Sequence, residues 1–202
     1  MYSFSHDDIT ITVRPAEQDR HTVVFVNGIL DGGWMWEHVA AALESRGHGT
    51  VVATQPLPAH CTFNDVPFLQ QSISSIVDGL SGPPPVLCGT SLGALVAMEL
   101  AASNPSRYSG VILTGAIDAR AELDAQEAFE RIDCPILLLC GTLGPISPAT
   151  RWRNAAATSP DVHFVEIPRC GISPMIEAPD LFTAPVLGWL ETVPAPSTLS
   201  HR

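Results

Sequence analysis

The sequence contains no lysine: all ten of its basic residues are arginine. Beside its abundant alanine, glycine and proline, this gap reflects the codon usage of a GC-rich genome and carries no chemistry of its own. Positive charge is scarce altogether, since 21 acidic residues leave a formal net charge of −11. That balance removes the usual basis for binding nucleic acid or an anionic membrane surface. Long hydrophobic runs are also lacking, and none approaches the roughly 18 or more residues of a membrane span. The opening residues, Met1 to Asp8, hold neither the basic nor the apolar region of a signal peptide, so a cytoplasmic location is expected. Cysteine is sparse: five residues, an odd number with no C-x-x-C pair, fit reduced thiols. Cys88 and Cys140 lie in apolar runs and read as small core residues. Internal repeats and charge runs are missing too.

What is present is enough apolar residue for a full core. At 202 residues and 46% apolar, with mean hydropathy +0.20, the chain reads as one domain over residues 1–192. The Pro/Ser-rich stretch 193–202 reads as a disordered tail. Hydrophobic pattern set against breakers gives strands at Ile9 to Val13, Thr22 to Val26 and Thr50 to Thr54, with a helix from Trp36 to Arg46 closed by Gly47. A helix from Pro67 to Gly79 follows. Further strands fall at Pro85 to Cys88, Gly110 to Thr114, Pro135 to Cys140 and Val162 to Ile167. Helices at Leu92 to Ser103, Ala121 to Arg131, Ser147 to Thr158 and Leu181 to Glu191 separate or follow them, with Ser147 as a cap and Pro148 at the first position of its helix. Strands alternating with helices predict an α/β fold: a mostly parallel, twisted sheet covered on both faces.

Between the strand at Pro85 to Cys88 and the amphipathic helix from Leu92 stand Gly89-Thr90-Ser91-Leu92-Gly93. Glycines two places either side of a serine let strand and helix pack closely, while the serine takes a strained turn that lifts its hydroxyl into a cleft. Ser91 also precedes the helix N-terminus, where backbone N–H groups and the dipole stabilise a developing oxyanion.

Other segments follow in a recognisable order. Val24-Phe25-Val26-Asn27-Gly28-Ile29-Leu30-Asp31-Gly32-Gly33-Trp34 forms a Gly-rich loop after a buried strand, Leu57-Pro58-Ala59-His60 a turn after the next one. Ile167-Pro168-Arg169-Cys170-Gly171-Ile172-Ser173-Pro174-Met175-Ile176-Glu177-Ala178-Pro179 reads as a closing loop. From about Asp8 to Thr192 the chain resembles the α/β-hydrolase family. That resemblance implies an α/β-hydrolase fold without a cap domain, since only a short segment separates Thr114 from Pro135. It implies Ser91 as the nucleophile position, and the N–H groups of Ile29 and Leu92 as oxyanion donors. Asn27, Gly28, Leu30 and Thr90 would lie around the pocket from the oxyanion loop and elbow, with Asp118, Leu143, Gly144, Ile172 and Met175 from the later loops. No cofactor and no metal is called for.

The resemblance breaks at the other two members of the catalytic triad. The family's acid turn reads Gly141-Thr142-Leu143-Gly144-Pro145 here, so Gly144 stands where the aspartate belongs. Ile172 stands where the histidine belongs. Asn27 and Thr90 likewise replace histidines often found beside the oxyanion loop and the serine. A serine without a base is a poor nucleophile near neutral pH. Of the seven histidines, His163 lies near the start of its strand, His38 on an early helix and His48 at the opposite end of the sheet, and His6, His21 and His201 are peripheral. His60 is left as a possible base, with Asp31 or Asp118 as a carboxylate facing the pocket. Cys170 reads as inert, having only Arg169 as a basic neighbour. Trp34, Trp36, Phe63 and Phe68, with Ile172 and Met175, offer apolar lining for a shallow cleft, although the tryptophans serve equally well to pack the first helix.

Three functional readings stand on these residues. The first is non-hydrolytic chemistry, such as cyclisation, elimination or isomerisation, on a small apolar carbonyl compound of specialised metabolism. The second is a serine hydrolase or acyltransferase with a rewired base. The third is a non-catalytic binding protein that keeps the fold.

Overall fold

The computed structural model describes residues 1–6, 9–28, 32–53, 63–104, 106–115, 125–143 and 149–194. In chain order its strands are β1 (Tyr2–His6), β2 (Ile9–Arg14), β3 (Thr22–Val26), β4 (Gly49–Ala53), β5 (Val86–Thr90), β6 (Gly110–Thr114), β7 (Ile136–Gly141) and β8 (Val162–Ile167). Its helices are α1 (Glu37–Glu44), entered through a 3-10 turn at Gly33–Trp36, then α2 (Val66–Asp78), α3 (Leu92–Ser103), α4 (Ala125–Glu130), α5 (Ala149–Ala157), α6 (Pro174–Glu177) and α7 (Pro179–Leu190).

The strands form one sheet in the order β1-β2-β4-β3-β5-β6-β7-β8. β2 runs antiparallel to β1 and β4, and β3 to β8 are mutually parallel. All six parallel strands therefore end on one edge. Because β4 lies on one side of β3 and β5 on the other, the chain reverses its direction of progress between β3 and β5, and crevices open at such a point.

Period-two alternation divides the core. Val24, Val26, Leu87, Val111, Leu113 and Leu138 face α2 to α5. Val23, Phe25, Val86, Cys88, Ile112 and Leu137 face α1 and α7. Strands covered on both faces need near-continuous apolar runs, which is why β5, β6 and β7 are buried at every position. Residues 115–135 between β6 and β7 hold α4 and leave no room for a cap domain.

The expected elements are present with shifted ends, and some readings need correction. β1 was not anticipated: Tyr2–His6 pairs with β2 along its whole length although it carries little apolar pattern. α6 was also missed, being a single turn. α3 is not amphipathic. Residues 92–98, 100 and 101 are all buried, because the helix is enclosed by the sheet, α2 and α4. The tail begins later than residue 193, since Val193 is 5% exposed and packs in the α1/α7 core. Ser147, Pro148, the first residues of the expected helix at 121–131, and 195–202 lie outside the described residues.

His21, read as peripheral, is instead buried at the amino edge of the sheet. It stacks on His48 with ring centroids 5.9 Å apart, and its backbone N–H donates to His48 Nδ1 at 3.3 Å. Arg20 pairs with Glu191 at 3.0 Å alongside, joining the start of β3 to the end of α7. Burial lowers the basicity of both imidazoles.

Candidate active site

Ser91 follows the last residue of β5 and immediately precedes α3, at φ 53 and ψ −125. A non-glycine residue is strained there by about 1–3 kcal/mol, and the surrounding packing holds it in place. The cause lies in its neighbours. A Cβ on Gly93 would overlap the Val26 carbonyl oxygen, and one on Gly89 would overlap the Gly93 carbonyl oxygen. Only glycine at both places lets α3 press onto the ends of β3 and β5. The turn is fastened by the Ser91 N–H to the Thr114 carbonyl at 3.2 Å, and the Ser91 carbonyl accepts from Ala94 at 3.1 Å.

Leu92 begins α3, so its N–H is among the donors that a helix start leaves without an intrahelical partner. Its side chain is fully buried. Gly28, two residues past the end of β3, is buried across the switch point from the elbow. Thr90 is buried, and in register with Thr114 on β6. The Thr114 hydroxyl is buried with no hydrogen-bond partner among the described residues.

The loop after β8 closes over this edge. The Ile172 carbonyl oxygen sits against Gly115, and a Cβ on Gly115 would lie 3.5 Å from Thr90 Oγ1. Glu177 shapes the loop by accepting from the Gly171 N–H at 2.7 Å and the Ser173 N–H at 3.0 Å. Two bonds tie it to the turn after β7: the Leu143 N–H donates to the Cys170 carbonyl at 2.8 Å, and the Arg169 N–H to Thr142 Oγ1 at 2.9 Å. Ile172 and Leu143 are exposed on this edge, at 42% and 65%. Thus Ser91, Thr90 and Ile172 are brought together, with Leu92 at the elbow and Leu143 along the loop.

Other expected pocket residues are turned elsewhere. Asn27 is 4% exposed, and its Oδ1 accepts from Trp36 Nε1–H at 2.7 Å while its Nδ2 donates to the Ala53 carbonyl at 3.1 Å. Its amide fastens the 3-10 turn to the ends of β3 and β4 and does not line a cleft. Met175 and Trp36 are at most 2% exposed and pack in the α1/α7 core. Trp34 and Phe68 are both 59% exposed, whereas nothing is described of the Phe63 side chain. Ile29, Leu30, Asp31, His60, Asp118 and Gly144 lie outside the described residues.

Among the described residues no base is hydrogen-bonded to Ser91. His38 pairs with Asp180 at 3.0 Å at the start of α1, His163 sits on the outer strand opposite Leu137, and His21 and His48 are at the far edge. Cys170 is buried, and desolvation aided by Glu177 raises its thiol pKa, keeping it protonated. Among the described residues no cluster of three or more potential ligands could hold a metal ion. No helix among them is long and apolar enough to cross a membrane.

The sequence matches the family model described as "Alpha/beta hydrolase family" over residues 23–123, which spans β3, the elbow and β6. No curated protein matches it. Among solved structures it is similar to an alpha/beta hydrolase enzyme from the metagenome of sediments of the Mar Chica lagoon, Morocco. That likeness has 16% identity and TM-score 0.76, covering 95% of this chain and 99% of the other. A monoacylglycerol lipase of Paleococcus ferrophilus is 18% identical with TM-score 0.74, over 91% of this chain and 98% of its own. A thermophilic esterase of Thermogutta terrifontis is 20% identical with TM-score 0.72, over 95% and 97% respectively. These likenesses carry the fold, and the family match joins them to the strained serine between β5 and α3: the chain belongs to the alpha/beta hydrolase family.

Proposed function

We propose that this protein binds a small apolar carbonyl compound at the elbow and promotes a non-hydrolytic reaction, a cyclisation, elimination or isomerisation, without a covalent serine intermediate. The observation that carries this reading is the company Ser91 keeps. A strained serine at the head of α3 has aliphatic Ile172 on the loop beside it and no base bonded to it among the described residues. The Leu92 N–H at the start of α3 polarises the carbonyl, and one such donor is worth roughly 10²- to 10³-fold in rate. Polarisation acidifies the adjacent C–H and makes the carbonyl carbon open to attack from within the same molecule, with geometry supplied by binding. An isoleucine at this loop position supplies no group that could take a proton from Ser91.

The infrared stretch of a bound aryl ketone tests this reading. The C=O band is expected to shift to lower frequency on binding to the native chain and to Ser91→Ala alike. An unshifted band in a saturated complex would overturn it.

A further inference from the structure

The face of the sheet that α1 covers is not filled at its β2 end. Ile11 and Val13 of β2 and Val51 of β4 point into the core beneath α2. By strand alternation Thr12, Arg14, Thr50 and Val52 stand on the opposite face, where α1 packs against β4. Glu37, Ala40, Ala41 and Glu44 follow one another at helical spacing and turn one side of α1 toward these strands. Because the two middle residues are alanines, helix and strands enclose a cleft of about 590 Å³, closed at its upper end by the 3-10 turn that carries Trp34. That volume suits a small molecule. Thr90, Ser91, Leu92 and Ile172 are not among the residues that line it, so the cleft is separate from the elbow.

Charge is unevenly distributed along the cleft. At the lower end Arg14 pairs with Glu44 at 3.0 Å, and the buried Thr50 hydroxyl donates to the other Glu44 carboxylate oxygen at 2.7 Å. Both oxygens of Glu44 are engaged, and that end is neutral. At the upper end the exposed Glu37 carboxylate has no hydrogen-bond or ion-pair partner among the described residues. Glu37 lies three residues beyond Trp34, which is 59% exposed, whereas Trp36 is buried. Between the two ends the wall is the methyl groups of Ala40 and Ala41 and the side chain of Val52. One uncompensated negative charge, one open indole and an apolar wall therefore share a single cavity.

We infer that this cleft is a binding site for a small organic cation, an amine or quaternary ammonium carried on an apolar body. The cationic head lies against the Trp34 ring and the Glu37 carboxylate, where the ring quadrupole and the ion pair attract the same charge. The body covers Ala40, Ala41 and Val52 and gains by removing their surface from water. An anion would meet the uncompensated carboxylate, and a neutral apolar molecule would strip water from it without offering a partner. Nothing in this site depends on the chemistry at Ser91.

Trp34 is also its own reporter. Trp36, Trp152 and Trp189 are at most 7% exposed, so acrylamide quenching reads Trp34 above the others. The experiment titrates the full chain with benzyltrimethylammonium, benzyl alcohol and phenylacetate, which share a benzyl body and differ in the charge of the head, following heat of binding and protection of Trp34 from acrylamide. The cation is expected to bind about fivefold or more tightly than the alcohol and to protect Trp34, with phenylacetate the weakest. Glu37→Gln and Trp34→Leu, both at exposed positions, are each expected to weaken the cation about three- to tenfold, and Glu37→Gln leaves benzyl alcohol unchanged. Equal affinity for the three heads overturns the assignment of a cation. Binding of the cation that neither substitution moves overturns the site, because attraction to the net charge of −11 would then account for it. Absence of saturable binding by the cation overturns it as well.

Discussion

The carbonyl oxygen of Ile172 fills the space that a side chain on Gly115 would need, and Gly115 itself sits at φ 52. The closing loop thus rests on the end of β6, beside the residue that precedes Ser91. Gly115→Ala therefore adds both a steric overlap and left-handed strain. It is expected to destabilise the fold by about 1–3 kcal/mol, read as a lower urea midpoint. An unchanged midpoint would show that the loop yields freely and does not define the site.

Glu177 holds the same loop from the other side through the Gly171 and Ser173 N–H groups. Hydrogen bonds to a charged acceptor are worth about 1.5–3 kcal/mol each at best, and less when exposed as these are. Glu177→Ala is expected to cost about 1–2 kcal/mol and to speed amide hydrogen exchange at residues 171–173, while Glu177→Gln retains part of the protection. Exchange rates that do not move in Glu177→Ala would contradict this account of the loop.

Acid stability has a definite sign. Burial lowers the folded pKa of His21 and of His48 below the ordinary value of 6.5. Above that value both states are neutral and the pair contributes nothing to the pH dependence. Below it the unfolded chain takes up protons that the folded chain refuses, so stability falls until the pH passes the lowered folded values, where the loss levels off. The facing charges are Arg20 and Glu191, whose effects on the pair oppose each other. The urea midpoint is expected to drop between pH 7.5 and 5, and His48→Asn, whose Oδ1 can replace Nδ1 as acceptor for the His21 N–H, should flatten that drop. A midpoint that rises on acidification would contradict the assignment.

Much of the architecture could be read directly because parallel strands announce themselves. β3, β6 and β8, and α3, begin and end where the apolar runs and their Gly, Pro and Asn breakers place them. β1 could not be read, since a strand paired on one side at the chain's start needs little apolar pattern. The elbow was legible because glycine spacing encodes a close approach, which Gly93 makes against Val26. Side-chain direction was not. Asn27 occupies a site position in the motif, yet its amide turns to Trp36, nine residues on. The usable signal was an asparagine just past a buried strand followed by a tryptophan at a helix entry, a pair that needs a mutual hydrogen bond once both are buried. Met175 follows a similar rule: a residue next to a functional loop position can belong to the core when a short helix intervenes.

Placing histidine at 172 and aspartate at 144, the positions the family resemblance assigns to the triad, asks whether the cleft accepts the family's chemistry. Ile172→His combined with Gly144→Asp is expected to give slow hydrolysis of p-nitrophenyl acetate, removed again by Ser91→Ala, because the elbow supplies the nucleophile position and the helix-start donors. A folded double variant without any such gain would mean that the loop carries residue 172 in a direction an imidazole cannot use.

The central claim is that Ser91 is not an activated nucleophile. Intact-mass analysis of the full chain after exposure to a small fluorophosphonate, with Ser91→Ala in parallel, tests it most directly. The account predicts no stoichiometric adduct on the folded protein. An adduct that forms on the native chain and disappears in Ser91→Ala would contradict it, and would turn attention to His60 as the base and to esters or thioesters as substrates.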